Sequence, residues 1–252
     1  MAIKTRKISD WLSVNGQAIT NASKATIEDA IRADIGQLYD GVFIMFHRKS
    51  DNYPLAVRVN SWASYQNSGE VAEGILLVEG GRHLVIAPTE GTDKKWSSKP
   101  ASSSDTSGSV QISGVTTTGD RETALNDFAG RANTTAIING STPSNVTNTE
   151  AYAAGFCNKY SRTNANGKGL TAGRWWLPSM GEMVMIWANF DKINYALSKI
   201  SGATQLQSAW YWSSTQGSAI YAWFLALADG GVNGNYKFAQ GRVRPVSAFY
   251  IS

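Results

Sequence analysis

The apolar positions change rhythm twice along the chain. In residues 25–41, "ATIEDAIRADIGQLYDG", Ile27, Ile31, Ile35 and Leu38 recur at the spacing of one helical face. Glu28 and Asp29 suit the first turn of that helix, and Gly41 suits its end. A stripe of barely two turns serves either packing on its own domain or docking and oligomerisation. From Val42 the rhythm shortens to strand length. Val42–Phe46 and Leu55–Val59 read as strands, and "GILLVEGGRHLVIAP" reads as a hairpin of Ile75–Val78 and Leu84–Ala87. Its paired glycines, Gly80 and Gly81, supply the positive φ that tight hairpin turns require.

The Ser/Thr/Gly-rich run from Ser97 to Gly119 predicts a long, exposed loop. Helical spacing then returns. "RETALNDFAGRA" after Asp120 puts Ala124, Leu125 and Phe128 on one face, and "NTEAYAAGFCNKY" groups Tyr152, Phe156, Cys157 and Tyr160. In "WWLPSMGEMVMIWANF", Ser179 and Glu182 form a capping box behind Pro178. Met183, Ile186, Trp187 and Phe190 make the inward stripe of that helix. A shorter helix, "NYALSKI", follows. The tail returns to strands in "AWYWSS", "YAWFLAL", "YKFAQ" and "RVRPVSAFYI". Strands, then helices, then strands describe an α+β chain whose first and last strands can pair.

Composition narrows the function. Of 252 residues only 17% are charged, while glycine (24), tryptophan (9) and tyrosine (10) are plentiful. The net charge of +4 is spread thinly beyond "KTRK" near the start, so a nucleic-acid footprint is weak. Cys157 is the only cysteine, which excludes an intrachain disulfide and a Cys-rich metal site. No apolar region follows "MAIKTRK", so no secretory signal is expected, and runs such as "VFIMF" are too short to cross a bilayer.

Searches for chemistry return little. HExxH, GxSxG, GxGxxG, CxxC and Walker patterns are all missing. The two histidines, His47 and His83, lie in or beside strand signals and read as hydrogen-bonded structural residues. Cys157 reads as a small buried hydrophobe. "NANGKGLTAG" lacks the strand-before, helix-after context of a phosphate loop and reads as a flexible surface loop. The sequons at Asn133, Asn139 and Asn145 matter only for a chain secreted by a eukaryote. What remains is contact surface. Tyr, Trp and Phe with Gly, Ser and Asn, concentrated in the last third, make the composition of a recognition face.

Several words of that last third are specific in combination. "RWWLPSMGEM" (174–183), "YWSST" (211–215), "AWFLAL" (222–227) and "RVRPVSAF" (242–249) resemble the C-type-lectin-fold variable proteins of diversity-generating retroelements, of the type carried by gut Bacteroides phages and bacteria. "ILLVEGGRHLVIAP" and "TALNDFAGRANTTAII" extend the likeness over about residues 70–252. The resemblance implies an α+β, C-type lectin fold with two main helices and a mixed, mainly antiparallel sheet, preceded by a small N-terminal segment. It divides the chain into a docking or oligomerisation segment (1–70) and a lectin-like variable domain (71–252).

It also implies that a template-directed reverse transcriptase, erring at adenines, rewrites a cassette ending near RVRPV. AAC-type template codons can then become Asn, Tyr, Ser, Asp, Gly, Ala, Ile, Phe and others, leucine among them, and never Trp, Gln, Glu, Lys or Met when the last base stays fixed. The ligand-binding variable positions so marked are Gly217, Ile220, Tyr221, Phe224, Ala226, Ala228, Gly231, Asn233, Gly234, Asn235, Tyr236, Phe238, Ala239 and Gly241. Trp212, Gln216, Trp223, Leu225, Leu227, Lys237 and Gln240 between them are scaffold types. Strand alternation then anchors Trp223, Leu225 and Leu227 on one side and displays Phe224, Ala226 and Ala228 on the other.

The implied function is non-enzymatic: a hypervariable receptor-binding protein on a phage tail, made in the bacterial cytoplasm. Its partner would be a host cell-surface protein or glycan, and the assembly a homo-oligomer such as a trimer. No nucleic acid, membrane insertion, metal or cofactor is implied. The EPN and WND signatures of calcium-dependent lectins are absent, so sugar binding through Ca²⁺ does not follow. Two alternatives remain: a formylglycine-generating-enzyme-like oxidase, disfavoured by the single cysteine, and a binding protein on the bacterial cell surface.

Overall fold

The computed structural model describes residues 40–140, 146 and 148–249, together with the backbone pairing of β1 (Ser13–Val14) with β2 (Gln17–Ala18). The stripe of Ile27, Ile31, Ile35 and Leu38 lies outside the described residues. Next come β3 (Gly41–His47), β4 (Pro54–Arg58), a single 3₁₀ turn at Val59–Ser61 and α1 (Trp62–Asn67). The strands β5 (Gly74–Glu79), β6 (Arg82–Ile86) and β7 (Gly91–Lys95) follow. The helices α2 (Arg121–Leu125), α3 (Gly130–Asn139) and α4 (Ala153–Lys159) precede the short pair β8 (Arg162–Thr163) and β9 (Gly169–Leu170). The chain closes with α5 (Met180–Ala188), α6 (Phe190–Leu197), β10 (Trp210–Gln216), β11 (Tyr221–Ala226), β12 (Val232–Tyr236), β13 (Gln240–Val243) and β14 (Val246–Ser247).

Two five-stranded sheets organise these elements. One is wholly antiparallel, in the order β14-β6-β5-β3-β4. Its turn at Gly80 and Gly81 has φ of 54° and 77°, the mirror-image turn that matches strand twist. The other runs β12-β11-β10-β13-β7 and is antiparallel except where β10 lies parallel to β13. The fold is therefore α+β with mostly antiparallel sheets. Six helices, rather than two main ones, stand among the described residues.

The main core gathers Ile44, Phe46, Ile75, Leu77, Leu84 and Ile86 of the antiparallel sheet, Met183 and Ile186 of α5, Ile193 and Leu197 of α6, and Trp223 and Leu225 of β11. The opposite side of β11 faces a second apolar cluster. There Trp212, Ala222, Phe224 and Val243 meet Trp96, Ile112, Val115, Ile137 of α3, and Ala153, Ala154 and Cys157 of α4. The middle of the mixed sheet is thus covered on both faces.

Several expectations change. The domain boundary falls at 39/40 rather than 70/71, because β3 and β4 are members of the same sheet as β5 and β6. The continuous helix expected over "RETALNDFAGRA" breaks at residues 126–129. Asp120 caps the first piece by accepting from Thr123 N at 2.7 Å. The second piece begins at Gly130, where an added Cβ would lie 2.0 Å from Glu182 Oε2, so this helix end seats directly on the capping box of α5. There the Glu182 carboxylate reaches back to Ser179 N at 2.8 Å, as the S-x-x-E spacing requires.

Trp187 does not point inward with Met183 and Ile186; it is 39% exposed. Its ring lies against Gly230, whose φ of 76° and lack of a side chain are both needed there. "YKFAQ" is no strand, because Lys237 closes a turn: its N–H donates to Ile220 O and its carbonyl accepts from both Trp96 N and Ser97 N. "NANGKGLTAG" is tied down rather than loose. Asn164 Nδ2 donates to Asn52 Oδ1 at 3.0 Å, Asn166 Nδ2 to Lys49 O at 2.7 Å, and Leu170 N to Glu73 at 2.7 Å. The buried Glu73 also holds His47 through its backbone N and Nδ1, the hydrogen-bonded role expected of that histidine.

Candidate functional site

The word "YWSST" forms β10, and its middle is built from buried polar groups. Ser213 Oγ donates to Trp223 O at 2.8 Å, and Thr215 Oγ1 donates to Asp127 Oδ2 at 2.7 Å. Asp127 also accepts from Asn133 Nδ2 at 2.9 Å, Thr116 Oγ1 at 3.2 Å and Ala129 N at 2.9 Å. A carboxylate so supplied with donors in a buried setting fixes the strand's position against α3. Asn133, one of the sequons, is therefore an internal residue, whereas Asn145 lies outside the described residues.

The rest of the strand is locked similarly. Trp96 Nε1 donates to Ser213 O, Trp212 Nε1 to Lys94 O and Trp223 Nε1 to Thr118 O, all within 3.0 Å. Gln216 accepts from Lys237 Nζ at 2.5 Å and from Ile112 N at 3.1 Å. Lys237 is 1% exposed, lies over the Trp96 ring at 4.6 Å, and its amine is pulled down to about 7 by burial. Glu182, buried beside Trp176 Nε1, is pushed up to about 7 by the same cause. Burial likewise pushes the Cys157 thiol up, among purely apolar neighbours. Among the described residues no group of three or more His, Cys, Asp or Glu could hold a metal ion.

On this frame the fourteen marked positions separate. Ala228, Asn233 and Gly234 are exposed, and Gly217, Ile220, Tyr221, Gly231, Asn235, Tyr236, Phe238, Ala239 and Gly241 are half-buried. Most of these line one outer rim: the β10–β11 turn, the edge strand β12 and the two turns flanking it. Tyr221 and Tyr236 face each other across the β11–β12 pair with ring centres 4.7 Å apart, and Phe238 stacks on Tyr236 at 5.4 Å. The Tyr236 side chain beside it holds the Tyr221 hydroxyl above the ordinary phenol range. Together they form one aromatic strip beside the small residues of β12.

Phe224 and Ala226 do not belong to the displayed set. Phe224 is only 7% exposed, because Trp210 lies flat over it at 4.2 Å and Trp212 abuts it at 5.1 Å. Ala226 is also buried, beneath a sheet face that α3, α4 and the loop around Ile112 and Val115 cover in its middle. Side chains do alternate along β11, but both sides of the strand's middle are interior. Gly241 is closed as well. A Cβ there would sit 2.9 Å from Trp212 Nε1, while one at Gly234 would meet nothing nearer than 3.9 Å.

Two exposed residues that the sequence reading left out flank the rim. Trp210 (40% exposed) stands beside Gly231, and Trp187 stands beside Gly230, so a tryptophan lies on each side of the 228–231 turn. The available signal was positional: Trp210 opens β10 two residues before the buried Trp212, hence on the same sheet face but nearer its end.

Comparison with known proteins adds little to this picture. No protein-family model matches the chain, and no curated protein matches it. Among solved structures it is similar to a fimbrial protein from Bacteroides ovatus ATCC 8483, at 21% identity and a TM-score of 0.42. That likeness covers 66% of this chain and 36% of the fimbrial protein, so the chain spans little more than a third of that protein's length.

Proposed function

We propose that this chain is a hypervariable ligand-binding protein with a C-type lectin fold, displayed on a phage tail and diversified by a retroelement. One observation carries the reading: residue types that adenine substitution can produce line the outer rim, while Trp212, Gln216, Trp223 and Lys237, which it cannot produce, turn inward among buried partners. Such a division lets side chains change without touching the interactions that hold the sheet.

Binding would run through the strip of Tyr221, Tyr236 and Phe238, with Asn233, Gly234 and Asn235 shaping the contact along β12 and Trp210 and Trp187 at the far end of that strand, beside the 228–231 turn. Half-buried aromatic rings give large contact area at low cost in side-chain freedom, which suits a host cell-surface protein or the apolar face of a glycan. Oligomerisation through the segment before residue 40, as a trimer, would multiply weak contacts by avidity.

The flanking DNA provides the test. The reading expects a near-copy of the 3′ coding region, differing from it at adenines, beside a reverse transcriptase gene. A genomic context without both would overturn diversification. Replacing Tyr221, Tyr236 and Phe238 together by alanine should then abolish attachment of the labelled protein to cells of a susceptible Bacteroides isolate; unchanged attachment would overturn the assignment of the rim.

A further inference from the structure

The edge strand β12 reads V-N-G-N-Y and carries no charged residue, although lysine or another charge is the usual guard of an open sheet edge. Its hydrogen-bond register is set at both ends: Ala226 N donates to Gly231 O, and Lys237 N donates to Ile220 O. Between these, alternation makes Phe224–Asn233 and Ala222–Asn235 the hydrogen-bonded pairs of the ladder. Val232, Gly234 and Tyr236 therefore direct their backbone groups away from the sheet, the arrangement that invites another strand.

Two of those outward N–H groups are already occupied. Gly234 N donates to Asn233 Oδ1 at 2.9 Å, and Tyr236 N donates to Asn235 Oδ1 at 2.8 Å. Each asparagine bends its side-chain amide back onto the next residue's backbone and takes the donor an incoming strand would need. We infer that Asn233 and Asn235 are the edge guards of β12, and that their removal opens the strand to antiparallel pairing with a second copy of the chain. A two-fold axis at Gly234 fits that occupant. It sets Gly234 opposite its own equivalent, where no side chain interferes, and Val232 opposite Tyr236, with no like charges to oppose the approach.

The inference stands on the register and the two amide contacts alone, so it survives or fails independently of the binding function. It has a consequence for that function, however. Substitution at position 233 or 235 would alter the main-chain valency of the rim as well as its side chains.

Backbone amide exchange by NMR, read alongside mass by light scattering over a concentration series, tests it on the full-length protein. Asn233→Ala should speed exchange at Gly234 by about tenfold while leaving Tyr236 unchanged, and Asn235→Ala should do the reverse. The double variant should reach twice the wild-type mass at high concentration. Asn233→Asp with Asn235→Asp keeps both acceptors and should retain the wild-type mass. Exchange at Gly234 and Tyr236 that is indifferent to the alanine substitutions, or a double alanine variant that keeps the wild-type mass throughout, would overturn the assignment.

Discussion

The two five-stranded sheets solve the same packing problem with different materials. In the antiparallel sheet, β5 is buried from Gly74 to Val78 without a polar side chain, and its neighbours β3 and β6 are largely apolar. Its order comes from apolar burial, which is strong but indifferent to exact geometry. In the mixed sheet, the equally buried β10 carries Ser213, Ser214, Thr215 and Gln216. Each of those contributes to networks that admit one arrangement, through Asp127, Trp223 O or Lys237. Directional bonds fix position where apolar packing would let a strand shift. The sheet that holds its strands this tightly is also the one whose far edge, β12, carries the exposed Asn233 and Gly234.

The comparison can be broken at several points. The largest expected effect is at the buried middle of β11: Phe224→Ala should cost about 3 kcal/mol in denaturant unfolding, while Tyr236→Ala on the rim costs about 1 kcal/mol or less. Equal losses would erase the distinction between interior and rim. Next, Gly241→Val should destabilise by about 2 kcal/mol by driving a side chain into Trp212, whereas Gly234→Val should change stability by less than about 0.5 kcal/mol.

The smallest effect per step is in pH. Glu182 titrates near 7 when folded, above its ordinary value, so its contribution is complete in mild acid and is lost as pH rises toward 7. Lys237 also titrates near 7, below its ordinary value, so its contribution is complete in strong alkali and is lost as pH falls toward 7. Stability should therefore pass through a minimum near neutrality, with slopes of about 1 kcal/mol per pH unit on either side. Glu182→Gln should flatten the acid limb alone and Lys237→Met the alkaline limb alone. A profile unchanged by either substitution would remove the buried-charge account.

Much of this was legible in the chain itself, for local reasons. Gly80-Gly81 demanded a mirror-image turn, and Ser179 with Glu182 a capped helix, because each is decided by residues within four positions. The buried hydrophobe Cys157 and the hydrogen-bonded His47 were readable from their neighbours in the same way. What failed depended on contacts far along the chain. Nothing near Phe224 announces that α3 and α4 cover its side of the sheet, so two-residue alternation alone predicts one face in and one face out. The break at 126–129 exists because Asp127 serves Thr215, 88 positions away. Trp187 escaped the core because the helix carrying it ends one residue later, beside a turn glycine from another strand.

The central claim is that the rim can change freely because the frame does not use it. Its most direct test is a pair of display libraries scored for protease resistance. One would diversify Ile220, Tyr221, Ala228, Gly234, Tyr236 and Phe238 over the amino acids that adenine substitution can produce. The other would do the same at Phe224, Ala226 and Gly241. Most members of the first library should stay as resistant as the parent, and most of the second should be cleaved. Comparable loss in both libraries would contradict the account.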